Sequence, residues 1–339
     1  MAGFMSTSTA MRIFNAPVEK ELSELMVRAQ RHAFRSIPPT PGPDGRRVGW
    51  VGLGDPLDLD FVFGPEHRRY FALSLRVDTR KPSGAAIRIK LAEALREEAA
   101  ASPEGKITGK RKKELKEAIT ASVTAKTEFI PALVDCLWDL EKGRLLLSST
   151  SEPMVALALE VFERTFGVSP APITPIADMA KVFEEVFTND GLCNGVSFDG
   201  YPEPGGMWGG VYPDAYAVTL ASPEQQDERA AASVKNNRET GEKALENGLK
   251  IKKMGIRLDI YESVDAHSAG DISASFSFML DDSLAVSGLK LPKGDKDSDP
   301  EADFFLKAEN CFLVAKAVEL IGESNGMTWW ERMAKTEGK

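Results

Sequence analysis

The sequence predicts an α+β fold of mixed helices and mostly antiparallel sheets. Three observations carry this. Apolar residues recur at every second position in some runs and with helical spacing in others. The two kinds of run come in mixed groups, without regular βαβα alternation. Short turns such as Glu141-Lys142-Gly143 and Asp281-Asp282 separate neighbouring strand-like runs, which suits antiparallel pairing.

The elements follow in order. Residues 1–10 are small and polar and read as a frayed start. Met11–Phe14 reads as a short strand. Val18–Arg35 reads as a helix with Leu22, Leu25, Met26 and Ala29 on one side. Pro38–Gly45 is a loop by its Pro and Gly content. Phe71, Leu73, Leu75 and Val77 alternate with Ala72, Ser74 and Arg76, the pattern of a half-buried strand. Pro82-Ser83 opens a helix to about Ala101, and a second runs over Gly109–Lys126 with Leu115, Ile119 and Val123 in step. Leu133–Leu140 and Arg144–Ser149 form a hairpin. Glu152–Phe166 is a helix stopped by Gly167, and Asp178–Phe187 is another.

The Gly- and Pro-rich stretch Asn189–Pro213, including Gly205–Gly210, reads as an irregular excursion. Tyr216–Leu220 is a strand and Gln225–Gly248 a polar helix. Leu249–Tyr261 is a strand whose apolar parity changes, so a β-bulge is expected near Gly255. Ala274–Leu280 and Leu284–Leu291 pair around Asp281-Asp282, Lys293–Pro300 is a solvated loop, and Ala302–Gly322 is an apolar helix. The implied organisation is an α+β region over 1–188, the excursion over 189–213, a second α+β region over 214–323 and a tail over 324–339.

The 339 residues are 42% apolar and 27% charged, a globular composition with ample core. No secretory pattern opens the chain, and no apolar run reaches the length of a membrane span. Cys136, Cys193 and Cys311 are too scattered for a disulfide framework or a zinc site. A reducing cytoplasm is expected.

Catalytic chemistry has little to stand on. Gly52-Leu53-Gly54 lacks the third glycine and the helix of a dinucleotide fingerprint. His32, His67 and His267 are isolated, and Glu114-Leu115-Lys116 lies in a basic helix. We therefore expect no catalytic residue, no metal site and no cofactor.

The basic residues are clustered instead. Lys106, Lys110, Arg111, Lys112, Lys113 and Lys116 face one acid, Glu114, across KITGKRKKELK. A second group holds Lys235, Arg238, Lys243, Lys250, Lys252, Lys253 and Arg257, diluted by Glu239, Glu242 and Glu246. The net charge of -9 argues against nucleic acid, but a binding face is local. The competing readings are a solvated face and a track for phosphates. No aromatic residue interrupts the first run, and no helix-turn-helix or zinc-finger signature exists, so base reading is not expected.

From Gly49 to Gly322 the segments resemble the RdgC family of recombination-associated proteins. The matching pieces come in order: Gly49-Trp50-Val51 after a Pro-rich turn, the helix at Ile87–Leu95, and the Lys-rich helix at Lys110–Lys116. The hairpin Leu137–Leu147, the helix ending FERTFG at Gly167 and SPAPITP at Ser169–Pro175 follow. FMLDDSLAVSGLKL at Phe278–Leu291 and the helix at Glu301–Glu323 close the series. The resemblance implies a horseshoe-like protomer that dimerises into a ring with a basic hole, with a dimer contact at Lys126 and Phe129. Such a ring binds duplex DNA, and single-stranded DNA in addition, without sequence preference. It restrains RecA-type strand exchange at the nucleoid. An acidic scaffold protein that keeps the fold without DNA binding is the alternative, followed by a metal-dependent nuclease.

Overall fold

The structure is a computed structural model. It describes residues 3–18, 21–35, 46–59, 61, 69–101, 107–189, 192–198, 207–221, 232–265, 268–291 and 299–323. The loop at 38–45, Lys106, His67, His267, residues 225–231, residues 293–298 and the tail from 324 lie outside them.

The elements are β1 (Ser8–Asn15), α1 (Leu22–Arg31), β2 (Arg47–Val51), β3 (Tyr70–Thr79), α2 (Gly84–Ala101), α3 (Gly109–Lys126), β4 (Ile130–Asp139), β5 (Arg144–Leu147), α4 (Glu152–Phe166), β6 (Ala171–Pro172) and α5 (Met179–Thr188). There follow β7 (Leu192–Phe198), β8 (Met207–Ala221), β9 (Ala232–Val234), α6 (Arg238–Glu246), β10 (Lys250–Asp265), β11 (Ser268–Asp281), β12 (Val286–Lys290) and α7 (Pro300–Glu323). The fold is thus mixed α+β. One 12-stranded sheet runs in the order β2-β3-β4-β5-β1-β12-β11-β10-β8-β7, with β6 on β1 and β9 on β8. Its named pairings are antiparallel. β1 lies between β5 and β12, so the first strand of the chain joins the early and late halves of the sheet.

Strand alternation builds two cores. Phe71, Leu73, Leu75 and Val77 of β3 face α1 and α4, together with Trp50, Val134, Cys136 and Trp138. Trp138 packs against Phe162 and Phe166 of α4, with ring centroids 4.8 and 5.6 Å away. Both buried indoles are satisfied: Trp138 Nε1 donates to the Ala16 carbonyl at 2.8 Å, and Trp50 Nε1 to Thr165 Oγ1 at 2.9 Å. On the opposite face, Tyr70 and Ala72 join the core formed with α5, α7 and the late strands. β3 is therefore covered on both faces, not half-buried as its alternation suggests. Its polar Ser74 is buried because it donates to Asp135 Oδ1 at 2.6 Å.

Asp135 also accepts from the backbone N–H of Phe4 at 2.8 Å, which ties the chain's start onto the sheet. Gly3 lies so close to this carboxylate that a Cβ would collide with it. Burial pushes the Asp135 carboxyl above its ordinary value, against the lowering effect of the Ser74 and Phe4 hydrogen bonds. α7 is joined to the sheet by polar contacts as well. Arg144 Nε donates to Glu319 Oε1 at 2.8 Å, and Tyr70 Oη donates to Glu309 Oε1 at 3.0 Å.

The late half departs from the sequence reading in three places. The stretch read as an irregular excursion contains β7 and the start of β8, paired antiparallel. Their Gly content hid them, since Gly lowers strand propensity wherever it falls. The polar helix is shorter than expected. α6 begins at Arg238, where the Asn237 side chain caps the Thr240 N–H at 3.0 Å. β9 precedes it. The β10 register slip against β8 sits at Lys252, between Ile251 and Lys253, three residues earlier than expected. At Gly255 the extra residues belong instead to β8, whose Asp214–Ala217 loops out and leaves Ala215 and Tyr216 at positive φ. Gly255 is needed there because a Cβ would meet the Asp214 carbonyl 2.7 Å away.

Candidate nucleic-acid interface

α2 and α3 are inserted between the adjacent strands β3 and β4. Neither helix contributes to the two main cores. α2 has no buried residue, and α3 has only Val123. The two helices pack on each other through partly buried side chains, among them Ile87, Leu91 and Leu95 of α2 and Leu115 and Ile119 of α3. They form an arm anchored at its base by the sheet. Leu115 and Ile119 thus face the arm's own seam and not the main core.

The N-terminal end of α3 carries the basic run. Thr108 caps it, accepting from the Arg111 N–H at 3.3 Å. Lys110, Arg111, Lys112, Lys113 and Lys116 are all exposed. At 100° per residue Lys110 lies opposite the Leu115, Ile119 and Val123 stripe and Lys113 about 120° from it. Lys112 and Lys116, though exposed, lie on the same side as the stripe, within about 60° of its centre. Over its length α3 holds six basic residues against two acidic ones, and its first turn contains no acid. Cations at this end oppose the helix dipole, whose positive pole favours anions. Arg111 differs from its neighbours. Its Nε donates to Glu98 Oε1 of α2 at 2.5 Å and its Nη1 to Glu114 at 3.4 Å, so it staples the arm together. The Glu98 hydrogen bond, more than any other factor, raises the Arg111 pKa. Lys113 reaches Glu117 only at 4.0 Å. Among the described residues Lys110, Lys112 and Lys116 have no carboxylate partner.

The second basic group is more neutralised. Arg238 pairs with Glu242 at 2.7 Å, Lys243 with Glu239 at 2.6 Å, Lys252 with Asp282 at 2.9 Å and Arg257 with Asp259 at 3.0 Å. Lys235, Lys250 and Lys253 have no carboxylate partner among the described residues. The two basic groups lie on separate elements, the first on the arm and the second on α6, β10 and the connection that precedes α6.

At the base of the arm, Lys126 is exposed and Phe129 is half-buried. The Phe129 ring is engaged within its own chain. The guanidinium carbons of Arg47 and Arg80 lie 3.7 and 4.2 Å from its centroid. Sequence reasoning missed both arginines, because they are 33 positions apart and meet only through the β2–β3–β4 pairing. Ile130, next in sequence to Phe129, is exposed, whereas Trp138 at the far end of β4 belongs to the core.

Other chemistry has less support in the geometry. Among the described residues no group of three or more His, Cys, Asp and Glu side chains could hold a metal ion. Cys136 and Cys311 are buried thiols, and burial pushes both far above the usual thiol range. A cavity of about 190 Å³ between β1, β6 and the Ser283-Leu284 turn is lined mostly by apolar and backbone atoms, with Arg12 its one titratable side chain. That is below the range of small-molecule sites, roughly 300–1,000 Å³. No described helix is long and apolar enough to cross a membrane. No protein-family model matches the chain, and a search of curated proteins finds no match.

Proposed function

We propose that this protein is a non-enzymatic, non-sequence-specific DNA-binding protein. In this reading a horseshoe-like protomer pairs with a second copy to encircle duplex DNA. The ring modulates RecA-type strand exchange at the nucleoid. The observation that carries the reading is the charge on the arm tip. Lysines without a carboxylate partner among the described residues stand at the positive pole of a helix that packs against its partner helix. Stability alone favours acids there. A phosphate backbone relieves both the lysine repulsion and the dipole conflict. The RdgC resemblance supports the same conclusion, and the net charge of -9 is compatible with it if the acids lie outside the ring.

A second reading has its own support. The carboxylate pairing of Arg238, Lys243, Lys252 and Arg257 leaves less positive field on the late half than the sequence suggests. That favours an acidic scaffold protein that keeps the fold without DNA. Fluorescence anisotropy with labelled duplexes of unrelated sequence, titrated across KCl concentrations, separates the two. DNA binding predicts equal affinity for each sequence and a steep linear fall of log K with log salt. Absence of binding at low salt favours the scaffold. Cleavage of the duplex in Mg²⁺ would overturn both.

A further inference from the structure

We propose that Arg47 and Arg80, stacked on Phe129 at the base of the arm, form a phosphate clamp separate from the lysines at its tip. The assignment of DNA as the source of that phosphate rests on the function proposed above, but the clamp's chemistry does not.

Two like charges have been brought onto one aromatic ring, 3.7 and 4.2 Å from its centroid. Each cation is attracted to the ring's π-face, yet the two repel one another. Among the described residues no carboxylate forms an ion pair with either arginine. Asp78 is the strand neighbour of Arg47, but both of its oxygens are taken by Arg76, at 2.9 and 3.0 Å. In addition, Arg80 Nε is buried, and among the described residues it has no hydrogen-bond acceptor. An N–H held away from water without a partner is costly, and an arriving oxygen would satisfy it.

The geometry selects the ligand class. An aromatic ring attracts a guanidinium without accepting its in-plane N–H donors, and the fork of those donors matches a phosphate. Both arginines spring from strand ends: β2 begins at Arg47, and Arg80 follows the last residue of β3. Strand pairing fixes where their backbones lie. Lys126 stands exposed at the adjoining end of α3. The 18 residues of α3 separate this clamp from the tip lysines by about 25 Å. A duplex lying along the arm would meet cations at both ends.

The test uses the full chain and the double variant Arg47→Gln/Arg80→Gln. Duplex affinity is read by anisotropy across KCl concentrations. Binding of inorganic phosphate is read as a thermal shift against chloride at matched ionic strength. If the parent binds duplex, the double variant is expected to bind it severalfold more weakly. Its salt slope should be shallower by about 0.9, because one phosphate is no longer neutralised. Equal affinity and slope in a folded double variant would overturn the clamp while leaving the DNA reading intact. If the parent binds no duplex, the DNA reading fails and phosphate decides alone. A thermal shift present in the parent and absent in the variant then assigns the clamp to free phosphate, and no shift in the parent overturns it. Should the double variant unfold, Arg80→Lys replaces it. It keeps the charge and loses the planar fork, so weaker binding of the probe that the parent binds is expected, and unchanged binding overturns the clamp.

Discussion

Lys110, Lys113 and Lys116 stand on α3 without packing against either core, so changing them should touch binding and leave folding alone. Surface changes of this kind alter stability by roughly 0.5 kcal/mol or less each. The triple change to Glu is expected to weaken duplex binding on all sequences alike. It should flatten the salt slope by roughly 0.9 for each phosphate that the helix no longer neutralises. Anisotropy titrations beside a thermal melt measure both; parental affinity at every salt concentration would reduce the run to a solvated face. Asp135 makes a different prediction. Burial raises its pKa in the folded chain above the unfolded value of about 3.9. A raised folded pKa means the stabilising contribution is full below pH 4 and is lost as pH rises through the folded value. Asp135→Asn cannot ionise and escapes that loss. Urea unfolding of both proteins should show the parent's advantage over the variant to be larger at pH 4 than at pH 7. A pH-independent difference would show that the carboxyl ionises normally in place.

Among the elements, the arm is the separable one. β3 and β4 pair directly from Tyr70↔Asp139 to Thr79↔Ile130, and the helices merely extend the connection between them. No arm residue enters either main core. Replacing residues 82–127 by a short hairpin turn should therefore leave the sheet folded, with a Tm within about 5 °C of the parent. Duplex binding should fall steeply, because the tip lysines are removed. Circular dichroism with a thermal melt, then anisotropy, reads the two effects. Loss of cooperative melting would show that the arm supports the sheet after all. α7 contrasts with the arm. Its Phe312 stacks on Tyr70 of β3 at 5.0 Å, and its Glu319 holds Arg144 of β5, so it cannot be removed without opening a core.

For the whole molecule, the expected assembly is a two-fold dimer. Light scattering should give twice the chain mass of 36.9 kDa, with and without duplex. A protein that remains monomeric in both conditions could still bind DNA along the arm but could not encircle it. The engagement of Phe129 by Arg47 and Arg80 bears on this. A dimer contact there would have to share the ring with two arginines or displace them. A dimer that forms through other surfaces is compatible with the clamp remaining open to phosphate.

The chain's own pattern determined the local elements. Period-two and helical runs marked β3, α3, α4 and α7, Gly167 marked the stop of α4 through its left-handed turn, with φ of 71°, and the basic run marked the arm tip. These signals are local because backbone geometry and side-chain periodicity act over a few residues. Tertiary structure alone decided the rest. Only the packing of α7 shows that β3 is buried twice. Only strand pairing recovers β7 and the start of β8 from a Gly-rich stretch, and moves the β10 slip to Lys252. Only the spatial partners distinguish Lys110 and Lys116, without a carboxylate partner among the described residues, from Arg111 and Arg257, paired with Glu98 and Asp259. Charge acts through space, so residues distant in sequence decide which basic side chains keep a field to offer. The meeting of Arg47 and Arg80 on Phe129 has the same cause: it exists only where β2, β3 and β4 lie side by side.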